Sequence, residues 1–479
     1  MPENYSRPLD VHRWSDHPES NKFVNQIYDE WFEHDAPNIT KKHLKVILLD
    51  MYVGWKTHPD TTIGIAMSQT YYRANSRYNA LYISSKTIAI TKRLLEVGLL
   101  DWNVGKPGYN NKPGVMSQFW PTEKLKEMFK RVRFGLEDIF THPDKETIIL
   151  RDESKKNIQY EDTPEIIGMR ELLRDYNRLL ERTFIDIPKL NEPVIVIPPK
   201  KPYGKPSRIF ISQNDKFTRR IFNNSSWEQN GRFNGGWWQR IPSEYRKDIY
   251  INDEPTVEID YSGLHPILVY QRKGIDYWKD IKTDPYQTNI KGLSEKDSRA
   301  IGKCLLLFSF NMTDETKLFQ AVKSELQQDI PEYKFTLNNL RRVLNKLQEM
   351  YPDIEKDILS GIGLNLMNID GKIAEHILAR FVGSDIPILA IHDSFIVPVR
   401  QDGFLRTCMK DAINAVLSDI KVNTKQIGMG YQQWQSVRHI DYSYYLSLRD
   451  EIAETGATPT EGYQYRKQQF DEYLKKRRQ

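Results

Sequence analysis

Hydrophobic residues recur with helical spacing in three segments of the first hundred residues. The segments are 45–52, 63–73 and 85–97, and the apolar residues of the third form one stripe along the helix, namely Ile88, Ile90, Leu94, Leu95 and Val97. Two shorter apolar runs, 99–104 and 115–120, are separated by a loop rich in Gly, Pro and Asn, which is typical of two strands joined in a hairpin. The pattern therefore predicts three helices followed by a β-hairpin.

Three helices followed by a hairpin is the element order of a winged helix-turn-helix, and we assign residues 36–125 to such a domain. The third helix would be its recognition helix, and the exposed face of that helix offers Lys86, Lys92 and Arg93. Cationic side chains at that place contact backbone phosphates, so a nucleic acid, DNA in the first instance, is the expected partner. The alternative is that these are solvated charges on a small helical domain that contacts protein.

The segments that flank this domain carry weaker patterns. Residues 1–35 are polar with scattered aromatic side chains, and we expect them to form an N-terminal arm. Residues 126–190 are predicted to form a helical connector, and residues 191–450 the larger, catalytic domain. The final residues, 451–479, are rich in Lys and Arg, so they are expected to form a basic tail that either lies on nucleic acid or is solvated.

The larger domain contains three short β-branched runs that predict strands. The first run ends at Asp260, and the runs 386–391 and 395–399 flank Asp393 at the tip of a tight hairpin. If these strands pair in one sheet, both carboxylates emerge at the same edge. A buried carboxylate is costly unless a cation compensates it, so the pair predicts a divalent-metal site, with ordinary turn aspartates as the alternative. Helices and strands together predict an α+β multidomain fold.

Composition narrows the class of protein without identifying it. The chain is 39% hydrophobic and 28% charged, as in ordinary folded proteins, and its net charge of +5 permits a polyanionic partner without requiring one. Its two cysteines, Cys304 and Cys408, suggest a reducing compartment. No stretch approaches the ~20 apolar residues of a membrane helix, so we expect a cytoplasmic protein without a membrane partner. The oligomeric state is left open.

A predicted helix over residues 298–308 carries a second candidate for chemistry. Arg299 and Lys303 stand four residues apart and therefore on one face of that helix. Two like charges at this spacing repel each other unless an anion lies between them, and a nucleoside triphosphate is a suitable anion. A solvent-facing pair of charges is the alternative.

Six short motifs follow one another between residues 207 and 422. In chain order they are Glu228-Gln229-Asn230-Gly231-Arg232, Gln239-Arg240-Ile241-Pro242, Asp260-Tyr261-Ser262, Asp284-Pro285-Tyr286, Arg299-x-x-x-Lys303 and His392-Asp393-Ser394. Their order and spacing resemble those of the family A nucleic-acid polymerases, which include bacterial DNA polymerase I and the phage single-subunit RNA polymerases. The resemblance implies a right-hand polymerase core with an antiparallel palm sheet and helical fingers.

The resemblance also implies roles for individual residues. Asp260 and Asp393 would bind two Mg²⁺ ions, which Mn²⁺ can replace, with the backbone carbonyl of Tyr261 as a further ligand. Arg299 and Lys303 would hold the incoming nucleoside triphosphate. Two further residues would contact the nucleotide, His265 and Asn311. The residues that would contact the template or primer are Gly231, Arg232, Gln239 and His392.

Three positions depart from the pattern of the family's DNA polymerases. His265 stands where a glutamate usually helps to exclude a ribose 2′-hydroxyl, and Asn311 stands where an aromatic residue is usual. Ser394 replaces a glutamate and is closer to the RNA polymerase form. The preference between ribonucleotides and deoxyribonucleotides is therefore left open.

The function that this resemblance implies is template-directed nucleotidyl transfer by a DNA polymerase or a primase-like enzyme. Because nothing before residue 190 resembles a proofreading exonuclease, we expect no proofreading. The N-terminal domain would deliver the core to a particular DNA, in the replication of a mobile element. The alternatives are an untemplated terminal transferase, an RNA polymerase, and, from another class, a DNA-binding replication initiator or repressor whose polymerase-like domain does not catalyse.

Overall fold

The structure is a computed structural model in which the chain divides into two compact units. It describes residues 5–32, 37–106, 114–199, 206–261, 263–281, 283–419, 431–432, 450–451, 454 and 456–478. The first unit comprises Met1–Thr147, Asp186–Lys216 and Thr458–Gln479, and the second comprises Ile148–Ile185 and Phe217–Ala457. Both units mix helices with small sheets, so the α+β class is confirmed. The predicted boundaries after residues 35, 125, 190 and 450 do not coincide with the breaks between these units.

The first unit packs helices against a four-stranded sheet in the order β1-β3-β5-β4, in which β1 and β3 are parallel and the other neighbours antiparallel. Its N-terminal elements are β1 (Tyr5–Pro8), β2 (Arg13–Trp14), α1 (Pro18–Trp31), α2 (Pro37–Thr57), β3 (Thr61–Ile65), α3 (Lys86–Glu96), β4 (Leu100–Asn103), β5 (Ser117–Pro121), α4 (Glu123–Lys130) and β6 (Phe140–Thr141). Later parts of the chain add β9 (Val194–Ile197), β10 (Ser207–Phe210) and α14 (Glu461–Arg478). One hydrophobic core joins α1, α2, α3 and this sheet.

The prediction of the second of the three N-terminal helices is wrong. Helices α2 and α3 and the β4–β5 hairpin lie where the pattern predicts them, but residues 63–73 contain the end of β3 and a single 3₁₀ turn, Gln69–Tyr71. All five residues of β3 are buried between its two strand neighbours. Thr61, Thr62 and Ile63 are β-branched, which favours a strand. Because a strand that is buried on both faces does not alternate apolar and polar residues, its sequence cannot be distinguished from that of a helix by this pattern.

The N-terminal residues do not form an arm. Strand β1 pairs with β3, and α1 buries Phe23, Val24 and Ile27 in the core of the first unit. Arg7 and Arg13 bind the fully buried carboxylate of Asp50, which Arg7 contacts through two hydrogen bonds of 2.7 Å. Of the scattered aromatic residues of this segment, Phe23 and Tyr28 belong to the core, and Trp31 and Phe32 pack against it.

The basic C-terminal tail forms helix α14, which packs within the first unit. Arg466 binds the buried carboxylate of Asp186 through two hydrogen bonds of 2.8 and 2.9 Å, and Lys476 pairs with Glu137. Tyr463 and Phe470 are buried. Two of its cations therefore have carboxylate partners within the protein, whereas contact of the tail with nucleic acid stays a prediction.

The second unit holds two sheets and most of the longer helices. Its strands are β7 (Ile148–Leu150), β11 (Thr218–Phe222), β12 (Asn230–Gly235), β13 (Tyr250–Ile251), β14 (Glu254–Tyr261), β15 (Leu389–Ile391), β16 (Ser394–Pro398) and β17 (Tyr431–Gln432), with β8 (Ile185–Asp186) at the junction of the units. Its helices are α5 (Pro164–Glu181), α6 (Ser243–Arg246), α7 (Leu264–Gln271), α8 (Tyr277–Asp280), α9 (Glu295–Asn311), α10 (Glu315–Leu326), α11 (Leu337–Met350), α12 (Gly363–Gly383) and α13 (Asp402–Asp419).

The larger sheet has the order β15-β16-β14-β13-β8, and β17 also pairs with β14. Strands β14, β15 and β16 are antiparallel, and residues 255–257, 259 and 261 of β14 are buried, as are all residues of β15 and β16. The smaller sheet, β12-β11-β7, lies against α12, where β12 packs closely on the helix. The three strands predicted around the two aspartates are therefore confirmed as one antiparallel sheet.

Within the part of the chain that the structure describes, no helix has both the length and the apolar character needed to cross a membrane.

Candidate active site

The sheet register brings the two predicted aspartates to one edge. Asp260 is the penultimate residue of β14 and lies opposite Ser394, the first residue of β16. Asp393 directly precedes Ser394 in the turn between β15 and β16, and its backbone oxygen accepts a hydrogen bond of 3.4 Å from the Tyr261 amide. The turn is tight because His392 adopts the left-handed conformation, with φ of 58°. Two carboxylates 133 positions apart in the sequence thus become neighbours.

The carboxyl group of Asp260 has no compensating charge at hydrogen-bonding distance. Its Oδ1 is buried and lacks a hydrogen-bond partner among the described residues. Burial, followed by repulsion from Asp393, raises the pKa of Asp260 to about 8, although Lys303 acts in the opposite direction. An unpartnered buried carboxylate oxygen beside a second carboxylate fits a divalent cation, so these residues are suited to hold the Mg²⁺ that the sequence predicts.

The backbone rather than the side chain of Tyr261 is directed to this edge. The Tyr261 hydroxyl donates a hydrogen bond to the Met409 carbonyl in α13, and its ring is buried. A ligand role for its carbonyl stays a prediction. No group of three or more His, Cys, Asp or Glu side chains is arranged to hold a metal among the described residues, so the candidate ligands are two carboxylates and a carbonyl.

A third carboxylate, which sequence reasoning missed, lies on the same strand face. Glu258 precedes Asp260 by two residues, accepts a hydrogen bond of 2.7 Å from the Ser394 hydroxyl, and pairs with Arg246 at 3.0 Å. Both Glu258 and Arg246 influence the pKa of Asp260, with opposite signs. The alternation of a β-strand, in which residues i and i+2 share a face, is the sequence signal that could have found Glu258.

Helix α9 presents the predicted anion-binding pair next to the carboxylates. The Nε of Arg299 binds Asp284 at 2.7 Å, and the Arg299 guanidinium and Lys303 ammonium lie 5.2 and 5.8 Å from the centre of the Tyr286 ring. Lys303 is exposed and lowers the pKa of Asp260 by its charge. The two cations therefore share one face, as predicted, with the Tyr286 ring beside both of them. Burial, followed by the charge of Asp393, raises the pKa of Tyr286.

Gly302 allows the segment that carries Tyr286 to lie directly on α9. A Cβ atom at Gly302 would come within 2.1 Å of the Tyr286 carbonyl oxygen, so any larger residue would displace this segment. The contact is reinforced by a hydrogen bond of 2.8 Å from the Thr288 hydroxyl to the Ser298 carbonyl. The glycine between Arg299 and Lys303 thus fixes the position of the aromatic ring beneath the two cations.

Arg232 and His265, predicted to contact primer and nucleotide respectively, are held together by Asp370 of α12. The Nε of Arg232 lies 2.9 and 2.8 Å from the two Asp370 oxygens, and Nε2 of His265 lies 2.9 Å from Asp370 Oδ2 and 3.0 Å from the Arg232 guanidinium. Although burial opposes it, hydrogen bonds from His265 and Arg232 keep the pKa of Asp370 below its ordinary value. We call these three residues the Arg–Asp–His cluster.

His392 lies close enough to this cluster to be influenced by its charges. Burial, and next the charge of Arg232, lower the pKa of His392, so its imidazole is neutral at pH 7. Its Nδ1 is buried and has no hydrogen-bond partner among the residues that the structure describes. A neutral ring with an unused nitrogen is consistent with the predicted contact to a primer terminus, which stays a prediction.

Gly231 and Gln239 have structural roles in this arrangement. Gly231 has φ of +90°, which favours glycine. A Cβ atom added at Gly371 would lie 2.6 Å from the Gly231 carbonyl oxygen, so β12 and α12 are in direct contact through these two glycines. The Gln239 amide nitrogen donates to the carbonyls of Phe233 and Ala390 at 3.2 and 2.8 Å. Gly231 and Gln239 therefore both position β12, and their contact with the template or primer stays a prediction.

The remaining predicted residues lie away from the carboxylates. Asn311 is the last residue of α9, about 12 Å along the helix axis from Lys303, and its side chain bonds to the Leu307 carbonyl at 2.8 Å. Lys86, Lys92 and Arg93 are exposed on α3 of the first unit, where Arg93 donates to the Trp31 carbonyl at 2.9 Å. The structure thus does not bring Asn311 to the candidate nucleotide site.

No protein-family model matches the chain, and no curated protein matches it.

Proposed function

We propose that the chain is a template-directed nucleotidyltransferase, a DNA polymerase or primase-like enzyme, that uses Asp260 and Asp393. The observation that carries the proposal is the buried, unpartnered Oδ1 of Asp260 beside Asp393, at a sheet edge where the charge of Lys303 on α9 also acts on Asp260. A fold does not keep such a carboxylate for stability, because an uncompensated buried charge is unfavourable. It is the arrangement expected of a site completed by divalent cations and a polyanionic substrate.

In this proposal β14, β15 and β16 serve as the palm, α9 serves as the fingers helix, and the first unit contacts DNA. Two Mg²⁺ ions held by Asp260 and Asp393, or Mn²⁺ in their place, would supply Lewis-acid stabilisation of the charge that develops on the attacking and leaving oxygens. Arg299 and Lys303 bind the triphosphate, since their spacing suits an anion that spans one helical turn. Arg299 is oriented for this task by Asp284.

The Arg–Asp–His cluster is proposed to face the primer terminus and the sugar of the incoming nucleotide. Asp370 fixes the Arg232 guanidinium by two oxygen contacts, so that this cation is held in one orientation before nucleic acid binds. His265 shares the same carboxylate. Its imidazole is therefore a fixed group at the position where sugar discrimination is expected.

Primer extension tests the proposal. A labelled primer on a longer template is incubated with Mg²⁺ or Mn²⁺ and with either deoxyribonucleotides or ribonucleotides, for the wild type, Asp260→Ala and Asp393→Ala. We expect extension whose product sequence follows the template and a fall in rate on the order of 10³-fold or more in both variants. Asp329→Ala, which removes an exposed aspartate of the same unit, is the control and should retain full activity.

Each alternative gives a different result in this assay. Products that ignore the identity of a homopolymer template would indicate an untemplated transferase, and exclusive use of ribonucleotides would indicate an RNA polymerase. Equal incorporation by the wild type and both aspartate variants would refute a catalytic role for this site. Tight DNA binding without any incorporation would favour the non-catalytic initiator or repressor.

A further inference from the structure

The segment of residues 66–85 in the first unit replaces the predicted helix and exposes aromatic rings. Tyr71 is 56% exposed and Tyr82 is 62% exposed, although aromatic side chains are normally mostly covered. Tyr82 also has a positive φ of 54°, an unfavourable conformation for a bulky residue. The fold therefore holds an aromatic ring in solvent at a conformational cost.

This segment is a built surface rather than a loose connection. The Asn79 side chain donates to the carbonyls of Arg73 and Ile83 at 3.2 and 2.8 Å, and it accepts from the Ile83 amide at 2.9 Å. Tyr72 anchors the segment by a hydrogen bond of 2.9 Å to the Ala66 carbonyl. Asn79 thus cross-links the two parts of the segment that carry Tyr71 and Tyr82.

The stretch of sequence that carries these rings is basic. From residue 61 to residue 95 the chain has no Asp or Glu, and its charged residues there are Arg73, Arg77, Lys86, Lys92 and Arg93. Lys42 of α2 places its ammonium 5.7 Å from the centre of the Tyr82 ring. Exposed aromatic rings among cations are complementary to a flexible polyanion with planar groups.

We propose that this surface binds single-stranded nucleic acid by stacking bases on Tyr71 and Tyr82, while Arg73 and Lys86 contact phosphates. We call these four residues the tyrosine face. Stacking on an exposed ring requires an unpaired base, because the bases of a duplex already stack on one another. The helix-turn-helix that the sequence predicts would instead need two helices to read a duplex, and the first of these, at residues 63–73, is not formed. This binding does not depend on the proposed catalytic activity.

Fluorescence anisotropy of the full-length protein with a labelled dT30 oligonucleotide tests the proposal. We expect dT30 to bind more tightly than a 30-base-pair duplex, and Tyr71→Ala and Tyr82→Ala each to weaken dT30 binding about tenfold. Tyr71→Phe and Tyr82→Phe keep the ring and should bind like the wild type. Ile167→Ala removes an apolar side chain that is 42% exposed on α5 of the second unit, and should have no effect.

Further measurements separate this surface from the candidate active site. Asp260→Asn should leave dT30 affinity unchanged within twofold even if it abolishes incorporation. Photo-crosslinking of a 5-bromodeoxyuridine oligonucleotide should label peptides from residues 66–85. Unchanged affinity in both alanine variants, tighter binding of the duplex, losses as large in the phenylalanine variants, or crosslinks found solely outside this segment would overturn the proposal.

Discussion

Two aspartates with buried carboxylate oxygens, one in each unit, show how the same side chain can serve stability or chemistry. Asp50 in the first unit is fully buried, and its oxygens accept hydrogen bonds from Arg7, Arg13 and the Asp10 amide. Asp260 in the second unit is half-buried, but its Oδ1 is buried and has no partner among the described residues, and the negative charge of Asp393 acts on it. The first carboxylate is complete within the protein, whereas the second requires something from outside.

The contrast teaches which buried charges to examine for function. A buried ion pair with all its hydrogen bonds satisfied stabilises one arrangement of the chain, here the N-terminal strand on α2. A buried carboxylate without a partner raises the free energy of the folded state and persists only where a ligand compensates it. The three predictions that follow test this difference.

The largest effect on stability is expected at Asp50. Asp50→Ala leaves two arginines without their buried acceptor, so the free energy of unfolding should fall by about 3–5 kcal/mol in urea titrations. Asp60→Ala is the control, since Asp60 is 44% exposed and lies 4.0 Å from Arg208, an exposed pair worth about 0–1 kcal/mol. A loss below 1 kcal/mol for Asp50→Ala would contradict the structural role of this carboxylate.

A smaller effect, on catalysis, is expected in the Arg–Asp–His cluster. Asp370→Asn weakens the group that orients Arg232 and His265, so kcat/KM for nucleotide incorporation should fall by about 10–100-fold. Glu375→Gln, on the same helix, alters the acceptor of Arg220, at 2.7 Å, and is the matched control. If Asp370→Asn and Glu375→Gln lose stability to a similar extent and have the same kcat/KM as each other, Asp370 is a structural residue rather than a positioning one.

The smallest effect is a gain of stability at Asp260 in the absence of metal. Because the folded state raises the pKa of Asp260 from its ordinary value of 3.8 to about 8, protonation favours folding. This contribution is complete below pH 4 and is lost as the pH rises towards and through 8. In EDTA, the stability of Asp260→Asn relative to the wild type should therefore increase between pH 5 and pH 9, by about 1–3 kcal/mol.

Thermal and urea unfolding at the two pH values measure this difference. Asp329→Asn is the control and should match the wild type at both. A relative stability of Asp260→Asn that does not increase between pH 5 and pH 9 in EDTA would show that the Asp260 carboxylate already has a partner within the protein.

The sequence alone was sufficient to predict the strands around the two aspartates. Continuous apolar runs predicted β14, β15 and β16, and the hairpin placed Asp393 at a turn, so a shared edge followed. It also predicted that Arg299 and Lys303 lie on one helix face, since this depends solely on helical spacing. Local patterns of this kind need no knowledge of distant contacts.

The parts that sequence reasoning missed depend on distant contacts. Asp370 is 138 positions from Arg232, and no local pattern connects them. The segment 63–73 was predicted as a helix, but residues 63–65 are buried between β1 and β5, and this pairing makes them the end of a strand. Tyr71 of the tyrosine face lies in this segment, and its exposure could not be predicted from a helix that the chain does not form.

Metal binding by the protein without nucleotide or nucleic acid tests the central claim most directly. Isothermal titration of Mn²⁺ into the wild type, Asp260→Asn, Asp393→Asn and the Asp329→Asn control measures whether the unpartnered carboxylate is a ligand. We expect the wild type and the control to bind Mn²⁺ with equal affinity, and both site variants to bind at least about tenfold more weakly. Equal affinity in all four proteins would contradict the assignment of Asp260 and Asp393 as a metal site.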